Sequence, residues 1–161
     1  MLFLLAHVVA LLAAAALERA WPQPLRFGDA APNLVLVLVA CAGITHGRVT
    51  GYATGLVGGL FVGAAGDRSF AGALISLMAV GLLAGHIRGR VFADHVMAAP
   101  VLAVLATVVS SLLYFVISPP PSFIPWVKEV GRLMLYNAVV SPPLYLYARA
   151  LARRWPPRTE L

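Results

Sequence analysis

The sequence predicts an all-α membrane protein of about six transmembrane helices, and three observations carry that prediction. Of the 161 residues, 61% are hydrophobic and only 11% are charged, against about 25% charged in an ordinary soluble domain. Mean hydropathy is +0.89. The apolar residues come in long blocks rather than in narrow amphipathic stripes, and lipid is the solvent that suits such blocks. The length allows a single domain, residues 1–161.

Six apolar blocks are read in order as 2–17, 30–44, 51–65, 70–87, 96–118 and 133–148. The first resembles a signal peptide only superficially. No basic residue precedes Leu2, and Glu18 and Arg19 stand where small cleavage-site residues are wanted, so it is read as a retained helix. Blocks two and three fall short of the roughly 17–25 residues a span needs, and flanking residues in helical continuation are expected to complete them. A re-entrant hairpin is the alternative for that pair, but His46-Gly47-Arg48 fits a tight turn between two full spans better. Asp29 is placed to cap the helix containing Pro32, with that proline in the first turn. Pro100 is similarly early in the fifth span. Prolines 119–121 end that span and begin a loop expected to continue to Trp126. Pro142-Pro143 falls inside the sixth span, removes two amide donors, and is expected to kink or break the helix.

Basic residues set the expected orientation. With six spans, Arg48, Arg88, Arg90, Arg149, Arg153, Arg154 and Arg158 share a side with both termini, and Arg19, Arg26, Arg68, Lys128 and Arg132 lie on the other. The positive-inside rule puts the first group, and so both termini, on the cytoplasmic side of the membrane. Trp21 and Trp126 then lie near the outer interface and Trp155 near the inner one. The net charge of +6 sits between blocks and in the C-terminal tail, which suits membrane topology and anionic headgroups rather than nucleic acid.

Glycine spacing is the sharpest pattern. Gly47, Gly51, Gly55, Gly59 and Gly63 recur every fourth residue, and Gly81, Gly85 and Gly89 form a second series. In a helix such positions lie nearly above one another, making a groove without side chains into which another backbone can sink. Gly51, Gly55, Gly59, Gly63, Gly81 and Gly85 are therefore the candidate helix-packing residues, whereas Gly66, off the series, is expected to tolerate substitution. Asn137, with Ser141 one turn later, places an amide inside the sixth span. That amide needs either an interhelical hydrogen bond or a partner. Asn137, Pro142, Pro143, Arg149 and Arg153 are the candidate partner-contact residues.

Catalytic chemistry finds little purchase here. His7, His46, His86 and His95 share no metal-ligand spacing and read as interfacial polar residues. Asp67-Arg68 and Asp94-His95 read as solvated loop pairs. The single Cys41 forms no internal disulfide and no metal cage. Ser110-Ser111 has no general base nearby in sequence and is expected to bond back to its own helix. No G-x-S-x-G, H-E-x-x-H or P-loop pattern is present. No carboxylate lies mid-span to couple ions. The expectation is no enzyme and no cofactor.

Four segments resemble the MreD family, the membrane component of the bacterial rod-shape machinery, or elongasome. They are Pro32-Asn33 followed by LVLVLV, the glycine-rich GYATGLVGGLFVG at 51–63, LMAVGLLAGHIRGRVF at 77–92, and LYNAVVSPPLYLYARALARR at 135–154. The resemblance covers over half the chain through apolar, degenerate motifs. It departs from the family near Gly63, where an acidic residue often follows the glycine-rich span and here Asp67 comes four residues later. It implies a non-enzymatic scaffold that binds MreC, with RodA, the class B penicillin-binding protein and cytoplasmic MreB in the same machinery, and a role in cell shape and peptidoglycan synthesis. The six-span outline is also similar to the S components of energy-coupling-factor vitamin transporters. That resemblance implies an outward polar pocket, for which Asp29, Asn33, Asp67, Lys128 and Glu129 are the candidates.

Overall fold

The computed structural model describes residues 2–26, 30–66, 69–88 and 97–154. Asp29, Asp67, Arg68, Gly89, Arg90, Asp94, His95, Trp155 and Arg158, all invoked above, lie outside the described residues. Among those described the chain is helical, with six α-helices and one short 3-10 turn: α1 (Leu2–Arg19), the turn Gln23–Leu25, α2 (Leu34–His46), α3 (Arg48–Ala64), α4 (Phe70–His86), α5 (Ala98–Ile117) and α6 (Phe123–Arg154). One helix, Ala98–Ile117, is long and apolar enough to cross a membrane by length and composition, with a hydropathy of 2.3. At 1.5 Å per residue its 20 residues extend about 30 Å.

The helix α2 is the axis of the bundle. It touches α1, α3, α4, α5 and α6, and every residue in it except Thr45 is buried. Its sequence begins LVLVLV, a run that alternates γ-branched leucine with β-branched valine and could serve as a buried strand in other surroundings. Among the described residues it has no strand to pair with, and a helix satisfies its own backbone. The consequence is a helix apolar all round, with neighbours on every side.

Three boundaries differ from the sequence reading. The second block does not continue helically toward Ala30: α2 starts at Leu34, with Asn33 as its cap and Pro32 ahead of it rather than in its first turn. Its 13 residues extend only about 20 Å. The loop after prolines 119–121 does not reach Trp126, because α6 starts at Phe123, with Pro125 inside its first turn where a missing amide costs nothing. The last helix is also not broken at Pro142-Pro143; it runs 32 residues through both. The carbonyl that Pro142 cannot bond is that of Ala138, and the Ser141 hydroxyl donates to it at 2.8 Å. A side chain one residue away thus replaces the missing backbone donor.

Other features fall where the sequence puts them. Gly47, with φ 97°, joins α2 to α3 in a one-residue turn, a conformation that favours glycine. It caps both helices and so stands outside the α3 groove itself. Pro100 lies in the first turn of α5. Ser69 caps α4, its hydroxyl accepting from the Gly72 amide at 3.3 Å.

Candidate functional site

Two constructions hold the helices in place. The first is a seam of small residues between α3 and α4. A β-carbon on Gly51 would overlap the carbonyl of Gly81, and one on Gly81 would overlap the carbonyl of Gly51. A β-carbon on Gly55 would overlap the carbonyl of Leu77. Farther along, Gly59 would place one 2.7 Å from Leu74 Cα, and Gly63 would place one 2.7 Å from the Phe70 ring. Gly85 meets the backbone of Arg48 at 2.5 Å by the same measure. Thus Gly51, Gly55, Gly59, Gly63, Gly81 and Gly85 all belong to one internal seam. The neighbour they face is their own chain.

Two further glycines enlarge the seam. Gly43 on α2 would set a β-carbon 2.6 Å from the Gly81 carbonyl, so α2, α3 and α4 converge at that level. Gly58, on another face of α3, receives Val35 of α2 at 2.9 Å. Gly43 stands four residues before Gly47 and extends that spacing back onto α2, whereas Gly58 is off the every-fourth pattern. Gly66 lies in open space but has φ +81°, so its tolerance is limited by the backbone rather than by contact.

The second construction closes the N-terminal end of α2. A helix start inside a bundle leaves amide donors that need acceptors. Asn137 of α6 supplies one: its Oδ1 accepts from the Asn33 amide at 2.8 Å. Glu18 of α1 supplies another, Oε1 accepting from the Val35 amide at 2.7 Å. Asn33 supplies the third, its own Oδ1 accepting from the Leu36 amide at 2.9 Å. The other side of the Asn137 amide donates to Thr107 Oγ1 of α5 at 2.8 Å, and that hydroxyl donates on to the Ala103 carbonyl at 2.7 Å. Four helices therefore meet through one polar chain. Arg19 Nη2 adds a bond to the Ala65 carbonyl at the end of α3.

Asn137, among the candidate partner-contact residues, is fully buried, with its carbonyl and its amide both bonded inside the bundle, so it ties helices together. Ser141 is equally buried beneath it. Pro142 and Arg149 are half-buried, whereas Pro143 and Arg153 are exposed and remain available at the far end of α6.

The histidines divide. His7 and His46 are buried, their rings 5.1 Å apart and edge to face at the end of the bundle opposite the α2 cap. His46 Nδ1 bonds the Thr45 hydroxyl at 2.8 Å. His86 is exposed. Among the described residues no group of His, Cys, Asp and Glu could hold a metal, and Cys41 is buried in α2. Near the capped end of α2, Trp126 packs at a tilt against Phe115 at 4.9 Å and Phe123 at 5.7 Å, and Trp21 meets Tyr136 edge-on at 6.2 Å.

Two clefts open at that same end. The larger, about 550 Å³, is lined by Glu18, Arg19, Arg26, Ser76, Ser110 and Tyr114 among others. The smaller, about 210 Å³, shares Asn33, Ser110 and Tyr114 with it and adds Ser111, Trp126 and Glu129. Both serines of the fifth helix therefore face cleft space. Of the outward-pocket candidates, Asn33 and Glu129 line the clefts, and Lys128 lines a separate depression with Arg132. Sequence reasoning missed Glu18, Arg26 and Thr107. The signal for Glu18 was its place directly after the end of the first apolar block, where a carboxylate can reach the start of the next.

Comparison of the chain with protein-family models, curated proteins and solved structures found no match.

Proposed function

We propose that this chain is a six-helix inner-membrane scaffold of the elongasome, with both termini cytoplasmic and MreC as its first partner. The observation that carries the membrane part is the inversion of polarity between inside and outside. Thr54, Ser76, Thr107, Asn137 and Ser141 are buried. Large apolar side chains stand out on the peripheral helices: Leu5 and Val9 on α1, Leu60 on α3, Ile75 on α4, Val116 at 76% exposed on α5, and Val139 at 68% on α6. Water would penalise that surface, whereas lipid matches it. The short α2 fits the same reading, because its buried start is satisfied by side chains rather than by water.

The scaffold part rests on the resemblance of the four segments to MreD, and on a chain whose glycine and asparagine features are taken up in building a rigid body. What such a body offers a partner is its outer surface. The exposed Pro143 and Arg153 on the C-terminal half of α6 are the contact residues this reading retains, with the half-buried Pro142 and Arg149 beside them. Pull-down of the tagged protein from native membranes should recover MreC, alone or with RodA and its penicillin-binding protein. Reporter fusions after Pro121 should read periplasmic and those after Arg158 cytoplasmic; the reverse pattern would overturn the topology.

The cleft beside the α2 start favours a second reading, an S component of an energy-coupling-factor transporter. That reading requires a vitamin held in the cleft and recruitment of an ATPase module. Co-purification of the module without MreC would replace the scaffold reading with it.

A further inference from the structure

The larger cleft at the start of α2 is walled by charge in a bundle whose core is largely apolar. Its described lining carries two guanidinium groups, Arg19 and Arg26, and one carboxylate, Glu18. Glu18 is directed at the Val35 amide and Arg19 at the Ala65 carbonyl. Arg26 differs from both: its Nε is buried and has no hydrogen-bond acceptor. A buried donor on a charged group is costly to leave unmet, and an oxyanion supplies both the acceptor and the opposite charge.

Shape and donors narrow the ligand. Ser110 lines both clefts from α5, and Ser76 lines the larger from α4. A planar carboxylate meets a guanidinium fork along one edge. A phosphate group directs oxygens several ways, so one can meet Arg26 while another meets a hydroxyl across the cleft. A volume of about 550 Å³ also admits more than the anion alone. We infer that this cleft binds a phosphate group, carried by a lipid headgroup or as the free ion, with Arg26 its cationic contact and Ser110 its hydroxyl donor. The inference needs neither the scaffold nor the transporter reading.

The test uses the full chain in neutral detergent. Its unfolding midpoint is followed against sodium phosphate, with sodium chloride at matched ionic strength as reference. A parallel arm uses micelles doped with phosphatidylglycerol, with phosphatidylcholine as reference. A saturable rise with inorganic phosphate identifies the free ion as sufficient. A rise with phosphatidylglycerol alone identifies the headgroup. Arg26→Gln should weaken either response at least about tenfold, a loss of one charge-assisted contact. Ser110→Leu should abolish it by filling the cleft. Arg48→Gln, an exposed arginine at the opposite end of the bundle, should leave it intact. Equilibrium dialysis of the unaltered chain should give one bound phosphate group per chain, which keeps the test decisive if either variant fails to fold. No saturable response to either probe, a response indifferent to Arg26→Gln and Ser110→Leu, or several weak equivalents per chain would overturn the inference.

Discussion

The α3–α4 seam and the capped start of α2 solve the same problem in opposite ways. At the seam, side chains are removed so that backbones touch; Gly51 and Gly81 leave no room for a β-carbon on either helix. At the cap, polar side chains are brought in from α1 and α6 to meet backbone amides that α2 cannot satisfy alone. The seam depends on dispersion across many atoms, and no atom in it can be enlarged. The cap depends on three acceptors, and each can be removed singly. The seam should therefore fail abruptly under substitution and the cap by increments.

The largest expected effect is at the seam. Gly55→Leu places a side chain against the Leu77 carbonyl and the Met78 backbone, neither of which can rotate away. A loss of about 3 kcal/mol or more, or failure to obtain monodisperse protein, is expected in detergent unfolding. Wild-type stability for this variant would show that α3 and α4 separate at little cost.

Next is the centre of the cap. Asn137→Leu leaves the Asn33 amide without its acceptor in a buried site, for about 1–3 kcal/mol. A double-mutant cycle of Asn137→Ala with Thr107→Val should return a coupling of about 0.6–1.7 kcal/mol, the range typical of hydrogen bonds between membrane helices. A coupling near zero would mean that Thr107 is incidental and that the Asn33 amide is the contact that matters.

A smaller effect separates the charge of Glu18 from its hydrogen bond. Glu18→Gln keeps an acceptor for the Val35 amide but loses the favourable carboxylate at a helix N-terminus, about 0.3–1 kcal/mol. Glu18→Leu loses both and should cost more. Equal losses would assign the whole contribution to the charge, and no loss for Glu18→Gln would assign it to the hydrogen bond.

Effects no larger than about 1 kcal/mol, but of opposite sign, come from glycines outside both constructions. Gly131 has open space around it within α6 and an ordinary helical backbone, so Gly131→Ala should be neutral or stabilising by up to about 1 kcal/mol. Gly66 has equally open space but φ +81°, so Gly66→Ala should destabilise by about 1 kcal/mol. Opposite signs from two uncrowded glycines would separate backbone strain from packing, the term that dominates Gly55.

Much of this molecule is legible in its residues because the relevant physics is local. Apolar blocks, turn glycines and prolines mark helices, and a period of four aligns Gly51 to Gly63 on one face whatever lies opposite. The presence of a groove follows from that periodicity. What fills it does not, since the facing Gly81 and Leu77 belong to another helix. The end of α2 is the sharper case. Its apolar block reads as a helix from residue 30, yet it starts at Leu34, because Asn33 is held by an amide 104 positions away. The two prolines of α6 carry the same lesson at short range. Their missing donors are written in the sequence, but the continuity of the helix depends on the Ser141 hydroxyl turning back to Ala138 rather than outward. Helical class and small-residue faces were determined by the sequence alone, since each follows from side chains within a few turns. Only the tertiary structure decided which faces meet, where α2 begins and whether Asn137 looks inward. Those outcomes depend on hydrogen-bond partners and backbone contacts contributed by other helices.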